Sequence, residues 1–147
     1  MKIKQATAYA LHATMYMVRH MTQLPATVKT IARAESIPSK YLAKIFRQLA
    51  GAGLIRAASP RGKGYIFARD PEDISILEIF EAIEGGPLFD DCFMRHCQCG
   101  GTPENCGIYS AWREAMSKVT DHLAATNLVT AAWDHLPHRF DELPSNA

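Results

Sequence analysis

Four cysteines, Cys92, Cys97, Cys99 and Cys106, fall within fifteen residues of a 147-residue chain that contains no other cysteine. Gly100, Gly101 and Pro103 lie between them, so the stretch reads as a loop and not as the interior of a helix or strand. Thiolates gathered in one loop are a ligand set for a soft metal ion or an iron–sulfur cluster. Tetrathiolate zinc and a thiol redox switch are the alternatives. The spacing C-x4-C-x-C-x6-C lacks the paired C-x2-C knuckles usual for structural zinc, which ranks zinc below iron–sulfur. His96 adjoins Cys97 but is a lesser candidate, because a lone loop histidine is more often simply solvated.

Compartment bears on the choice. No apolar run approaches the roughly 18 residues needed to span a bilayer, and the N-terminus lacks the apolar segment of a signal peptide. The expected location is therefore a bacterial-type cytoplasm, where disulfides are rare and clustered cysteines point to metal. Neither a membrane partner nor a small-molecule substrate is expected.

The formal net charge of +1 conceals a division. Residues 1–70 carry twelve Lys and Arg against two acids, Glu35 and Asp70, a balance of +10. Residues 71–147 carry four against thirteen, a balance of −9. One half is suited to a polyanion, and the other half is not.

The elements that would position these charges can be read from periodicity. Ala8, Leu11, Met15 and Val18 fall on one face of a helix over 7–21, with Thr7 as its N-cap. A short helix follows over 27–35, then the turn Ser36-Ile37-Pro38. A third helix, capped by Ser39, buries Leu42, Ile45, Phe46 and Leu49. Its opposite face presents Lys40, Tyr41, Lys44 and Arg47, the plan of a helix-turn-helix recognition helix. Two short strands joined by a glycine-rich turn with Arg61 and Lys63 make a β wing that can grip phosphates or enter a minor groove. The expected DNA contacts are Pro38, Ser39, Lys40, Tyr41, Lys44, Arg47, Arg61 and Lys63.

After residue 70 the character changes. Ser75-Ile76-Leu77-Glu78 is a capping box, and the helix it opens stops at Gly85-Gly86-Pro87. Beyond the cysteine loop, Ile108, Trp112, Ala115, Met116, Val119 and Leu123 line one face of a helix of about five turns, a candidate dimerisation face. A short apolar piece (Leu128, Val129, Ala132, Trp133) is placed to dock on the same core. The expected architecture is mainly α, a winged helix-turn-helix with a two-stranded wing and a long C-terminal dimerisation helix. Its division is into a DNA-binding region, 1–70, and a helical dimerisation region, 71–147, carrying the loop 92–106.

This order of parts resembles the bacterial family of winged-helix repressors that includes the iron–sulfur cluster regulator and the nitric-oxide-sensitive repressor. The matching pieces are Tyr9-Ala10-Leu11, Tyr41-Leu42 to Gly53-Leu54-Ile55, Arg61-Gly62 with Gly64-Tyr65, Ile74 to Gly85, and Cys106 followed by Trp112-Arg113. The resemblance covers roughly residues 1–135. It implies a homodimer that binds a palindromic DNA operator and a [2Fe–2S] or [4Fe–4S] cluster on three loop cysteines plus a variable fourth ligand. Cys92 and Cys106 match the outer family cysteines, and Cys99, ahead of Cys97, matches the middle one. In one branch the fourth ligand is a histidine three residues after the last cysteine, where this chain has Tyr109. In another it is an N-terminal aspartate of the partner, where this chain has Ala8. The extra cysteine could take that place. The acidic residue many members carry near the start of the recognition helix is Ala43 here. An enzyme is not expected, since there is no nucleotide-binding glycine pattern or catalytic-triad spacing, and a small electron-transfer protein would leave the +10 half without a use.

Overall fold

A computed structural model describes residues 3–92 and 99–134. Among the described residues, six α-helices and one two-stranded sheet follow in the order α1 (Gln5–Arg19), α2 (Val28–Ala34), α3 (Ser39–Gly51), β1 (Ile55–Ala57), β2 (Tyr65–Phe67), α4 (Ile76–Glu84), α5 (Gly107–Ala125) and α6 (Leu128–Trp133). This is the mainly helical winged helix-turn-helix that the sequence predicts.

The core is one apolar cluster in which α1 is the central rod, packed by α3, α4 and α6. Its buried side differs from the expected stripe. Ala6, Thr7, Ala10, Ala13, Thr14, Met17 and Val18 are inside, whereas Ala8, Leu11 and Met15 are only half-buried. Small side chains let neighbouring helices approach closely, and Thr14 satisfies its hydroxyl within the helix by donating to the Ala10 carbonyl at 2.8 Å. Thr7 is not the N-cap. It lies inside the first turn, fully buried, and Lys4 is the capping position.

The helix-turn-helix forms as expected, with two refinements. Thr27 caps α2 by accepting from the Thr30 N–H at 3.2 Å. At α3 the cap position is Pro38, and Ser39 is the first helical residue; the Pro38 carbonyl accepts from the Tyr41 and Leu42 N–H groups. Leu42, Ile45, Phe46 and Leu49 are buried, as the periodicity requires.

The strands pair antiparallel, with Ile55 opposite Phe67 and Ala57 opposite Tyr65. The wing is also held from its other side. Tyr65 exchanges two backbone hydrogen bonds with Ala26, at 2.8 and 3.2 Å, in the segment before α2. Gly64 makes that approach possible. Its φ is +97°, and a Cβ there would stand 2.8 Å from the Ala26 carbonyl carbon and oxygen.

Helix α4 has the expected capping box: the Ser75 hydroxyl accepts from the Glu78 N–H at 3.2 Å, and Glu78 accepts from the Ser75 N–H at 2.9 Å. Ile79 and Ile83 enter the core, and Gly85, at φ +93°, ends the helix in the left-handed conformation. The short helix α6 docks Leu128 and Ala132 into the same core. Backbone bonds from Ile76 to Thr126 and from Leu128 to Ile74, both 2.9 Å, pin its start to the start of α4.

Helix α5 stands apart. None of its residues is buried, and α4 is the element it packs against most. The expected stripe divides: Trp112, Met116 and Leu123 are half-buried, while Ile108 (57% exposed), Ala115 and Val119 (39%) face outward.

Candidate functional site

The helix-turn-helix and the wing both carry exposed cations. Lys40, Lys44 and Arg47 recur along the outer face of α3, and all three are exposed. Pro38 and Ser39 are exposed at its N-terminus, and Arg61 and Lys63 are exposed at the wing turn. Among the described residues, none of these five cations makes an ion pair, so their charge is available to a polyanion. Tyr41 stands partly exposed on the same helix, its ring edge-on to Tyr9 of α1 at 5.7 Å.

Glu35, one of the two acids of residues 1–70, is paired within the domain. Its carboxylate lies 3.6 Å from both Arg19 and His12 of α1 and is neutralised within the domain. The fold adds cations that the sequence reading leaves aside. A cleft of about 330 Å³ is lined by Lys29, Ala32, Arg33, Ile37 and Ser39, where α2 meets the N-terminus of α3. Lys29 and Arg33 sit four apart on α2; that spacing, once the helix-turn-helix is assigned, is the signal that finds them.

Of the cysteines, Cys92 is half-buried where the loop begins, Cys99 is exposed and Cys106 is half-buried at the N-cap of α5. Cys97 and His96 lie outside the described residues. Among the described residues, no three Cys, His, Asp or Glu side chains form a ready-made metal cage. Cys99 and Cys106 nevertheless come together around Gly101. A Cβ on Gly101 would stand 3.3 Å from the Cys99 Sγ and 3.7 Å from the Cys106 Sγ. The Gly101 N–H donates to the Cys99 Sγ at 3.4 Å. Backbone N–H donors to sulfur are a standard means of stabilising thiolate-held clusters. A glycine cradle between two sulfurs, with an N–H aimed at one of them, fits such a group.

The flanks of this loop are anchored to α5. Trp112 donates from Nε1 to the Asp91 carbonyl at 3.1 Å and meets the Phe89 ring edge-on at 6.4 Å. Tyr109 donates to the Asp90 carbonyl at 3.4 Å. Two of the residues near the start of α5 therefore hold the backbone just before Cys92. On the far side, the Asn105 side chain and the Thr102 carbonyl close a turn that sets Cys106 at the head of α5.

Helix α4 joins this loop to the basic half. At its start, Arg69, just after β2, donates to Glu78. At its end, Glu84 accepts from the Lys4 N–H at 2.9 Å and from the Thr7 hydroxyl of α1. Partial burial pushes both carboxyls up, but it is outweighed. Bonds from Ser75 and Arg69 leave Glu78 below the usual carboxylate range, and bonds from Thr7 and Lys4 do the same for Glu84.

The Rrf2 family, described as iron-dependent transcriptional regulators, matches residues 3–132. The chain belongs to the Rrf2 family. The transcriptional regulator IscR of Vibrio vulnificus is similar, at 30% identity over 124 residues covering 84% of this chain and 72% of that protein. Among solved structures, T. potens IscR superposes with a TM-score of 0.70 at 21% identity, covering 91% of this chain and 88% of that one. CymR of B. subtilis, described as the global cysteine regulator, gives 0.73 at 23% identity, covering 93% and 99%. As a member of this family, the chain is a DNA-binding transcriptional regulator and not an enzyme.

Proposed function

We propose that this Rrf2 protein is a transcriptional repressor whose operator affinity is set by an iron–sulfur cluster held by Cys92, Cys97, Cys99 and Cys106. The observation that carries the reading is Gly101, seated between the Cys99 and Cys106 sulfurs with its N–H bonded to one of them. When bound, a [2Fe–2S] or [4Fe–4S] cluster supplies a centre sensitive to oxidants, iron supply or nitric oxide. Cys106 sits at the positive end of the nineteen-residue helix α5, a favourable place for the negative charge of a thiolate-held cluster.

Double-stranded DNA is met by residues 1–70. Pro38, Ser39, Lys40, Tyr41 and Lys44 face base edges and phosphates in the major groove, Arg47 adds a backbone contact, and Arg61 and Lys63 anchor the wing. The region 71–147 assembles a homodimer through the outward side of α5, where Ile108, Ala115 and Val119 are exposed on a helix with no buried residue. Trp112, Met116 and Leu123 brace that helix from its inner side. A two-fold dimer matches a palindromic operator with half-sites about 34 Å apart. The cytoplasm is the compartment in which such a regulator works.

An anaerobic absorption spectrum with iron and acid-labile sulfide counts tests the cofactor. Brown protein with matched iron and sulfide is the expected result. Colourless protein without iron after anaerobic reconstitution would transfer the loop to zinc or a thiol switch. Equal operator affinities of cluster-loaded and cluster-free protein would remove the switch but leave the DNA-binding role.

A further inference from the structure

Helix α1 does not cap itself. Its cap residue, Lys4, makes no side-chain capping bond, and no acid occupies the first turn, which begins Gln5-Ala6-Thr7. A helix start without a cap leaves N–H groups unsatisfied and a positive dipole end uncompensated. A carboxylate from elsewhere in the chain meets the dipole and one of these N–H groups. Glu84, the last residue of α4, accepts from the Lys4 N–H at 2.9 Å and from the buried Thr7 hydroxyl, placing a carboxylate against the positive end of α1. The service is returned. The Lys4 ammonium donates to the Ile83 carbonyl at 3.2 Å and the Glu84 carbonyl at 2.9 Å, two of the free acceptors at the C-terminus of α4. The two helix ends therefore cap each other, head to tail.

The junction lies at a particular place. Gly85, the left-handed residue that ends α4, follows Glu84 directly, and the chain then runs through Gly86-Pro87 into the loop of Cys92. On its other side, α1 packs against α3, and Tyr9 meets Tyr41 of the recognition helix edge-on. Glu84 is only 14% exposed at its side chain, so it is not a solvated surface charge free to exchange partners.

We infer that Glu84 is the positioning residue through which the state of the cysteine loop reaches the DNA-binding helices. When the loop is ordered, residues 85–92 hold the end of α4 so that Glu84 caps α1. When the loop is released, the last turn of α4 frays, α1 loses its borrowed cap, and the α1–α3 packing that sets Tyr41 loosens. The element with two states is the capped or uncapped first turn of α1, and both the loop and the DNA-binding face bias it. The inference rests on the cluster-sensing reading above.

The test compares operator binding by cluster-loaded and cluster-free protein for the wild type, Glu84→Gln and Lys4→Met, with iron and sulfide counted in each. Glutamine preserves the size of Glu84 and removes its charge. Lys4→Met removes the ammonium from a side chain that is 54% exposed, so it reads the same junction if Glu84→Gln does not fold. For a wild-type difference in the usual allosteric range of about 5- to 150-fold, the ratio should shrink at least ~3-fold in both variants at unchanged cluster content. A residue with a merely structural role would lower melting temperature and shift both affinities together. An unchanged ratio in a folded, fully loaded variant overturns the inference while leaving the sensor reading intact. Equal affinities of the cluster-loaded and cluster-free wild type overturn the sensor reading, and the inference falls with it.

Discussion

Replacing Gly64 by alanine tests whether the wing is held by its base or only by its own strand pairing. At φ +97° any side chain is strained, which costs about 1–2 kcal/mol. The new Cβ would also stand 2.8 Å from the Ala26 carbonyl carbon and oxygen, which are backbone and cannot rotate away. Relief requires the wing to move off the 24–27 segment and give up the two Ala26–Tyr65 hydrogen bonds, each worth roughly 0.5–1.5 kcal/mol. Together the loss is about 3 kcal/mol. Gly62 is the internal control, because its φ of +72° carries similar strain while a Cβ there meets nothing within 4 Å. Gly62→Ala should therefore lose only about 1 kcal/mol. At roughly 3 °C per kcal/mol for a chain of this size, melting points followed by circular dichroism should fall by about 9 °C for Gly64→Ala and about 3 °C for Gly62→Ala. Gly64→Ala should also weaken operator binding, since Arg61 and Lys63 move with the wing. Equal falls in the two melting points would refute the argument, for they would mean that the contact with Ala26 contributes nothing.

Ser75→Ala removes half of the capping box of α4 and should lower stability by about 1 kcal/mol in urea unfolding, with no change in the slope. Glu78 and Glu84 titrate below the usual carboxylate range in the folded protein, so their contribution is complete above that range. It is lost as pH falls through their lowered folded values; a melting temperature that rises on acidification from pH 5 to pH 3 would contradict this. Arg61→Ala should weaken DNA binding and flatten the salt dependence by about one phosphate contact, roughly 0.9 in log–log slope, without loss of colour. Val119→Glu places a charge on the outward side of α5 and should yield monomer in analytical ultracentrifugation, while Met116→Glu, on the inner side, should first lower the melting temperature.

Much of this fold was legible because it depends on local rules. The Ser75–Glu78 box, the glycine stop at Gly85, the buried face of α3 and the glycine-rich wing turn are each set by residues a few positions apart. What escaped was decided by distant partners. The buried side of α1 carries the small residues Ala6, Thr7, Ala10, Ala13 and Thr14 beside Met17 and Val18, while the larger Leu11 and Met15 lie off it, so side-chain hydrophobicity pointed away from the side that α4 and α6 cover. Thr7 looks like a cap by residue type, and only Glu84, seventy-seven positions away, explains why it is buried. Periodicity puts the α5 stripe on one face, but helical periodicity alone does not say where a neighbouring helix ends. The glycines marked residues 92–106 as a loop, but the convergence of Cys99 and Cys106 on Gly101, and the N–H aimed at sulfur, depend on a fold of the loop that no local rule specifies.

The pairing of residues 74–76 with 126–128 has a thermodynamic consequence for the part of the chain between them. Because both ends of that excursion are fastened at one point, α4, the cysteine loop and α5 form a closed ring of chain, and the entropy of closing it is already spent in the core. Opening the outer part of the ring exposes little buried surface, since α5 has none of its own residues inside. Native-state hydrogen exchange on the monomeric Val119→Glu protein should therefore find α5 opening at a lower free energy than α1 or α3, as a separate cooperative unit. Tethered in this way, the arm can open and close many times over the life of the molecule while the core built on α1, α3, α4 and α6 stays folded.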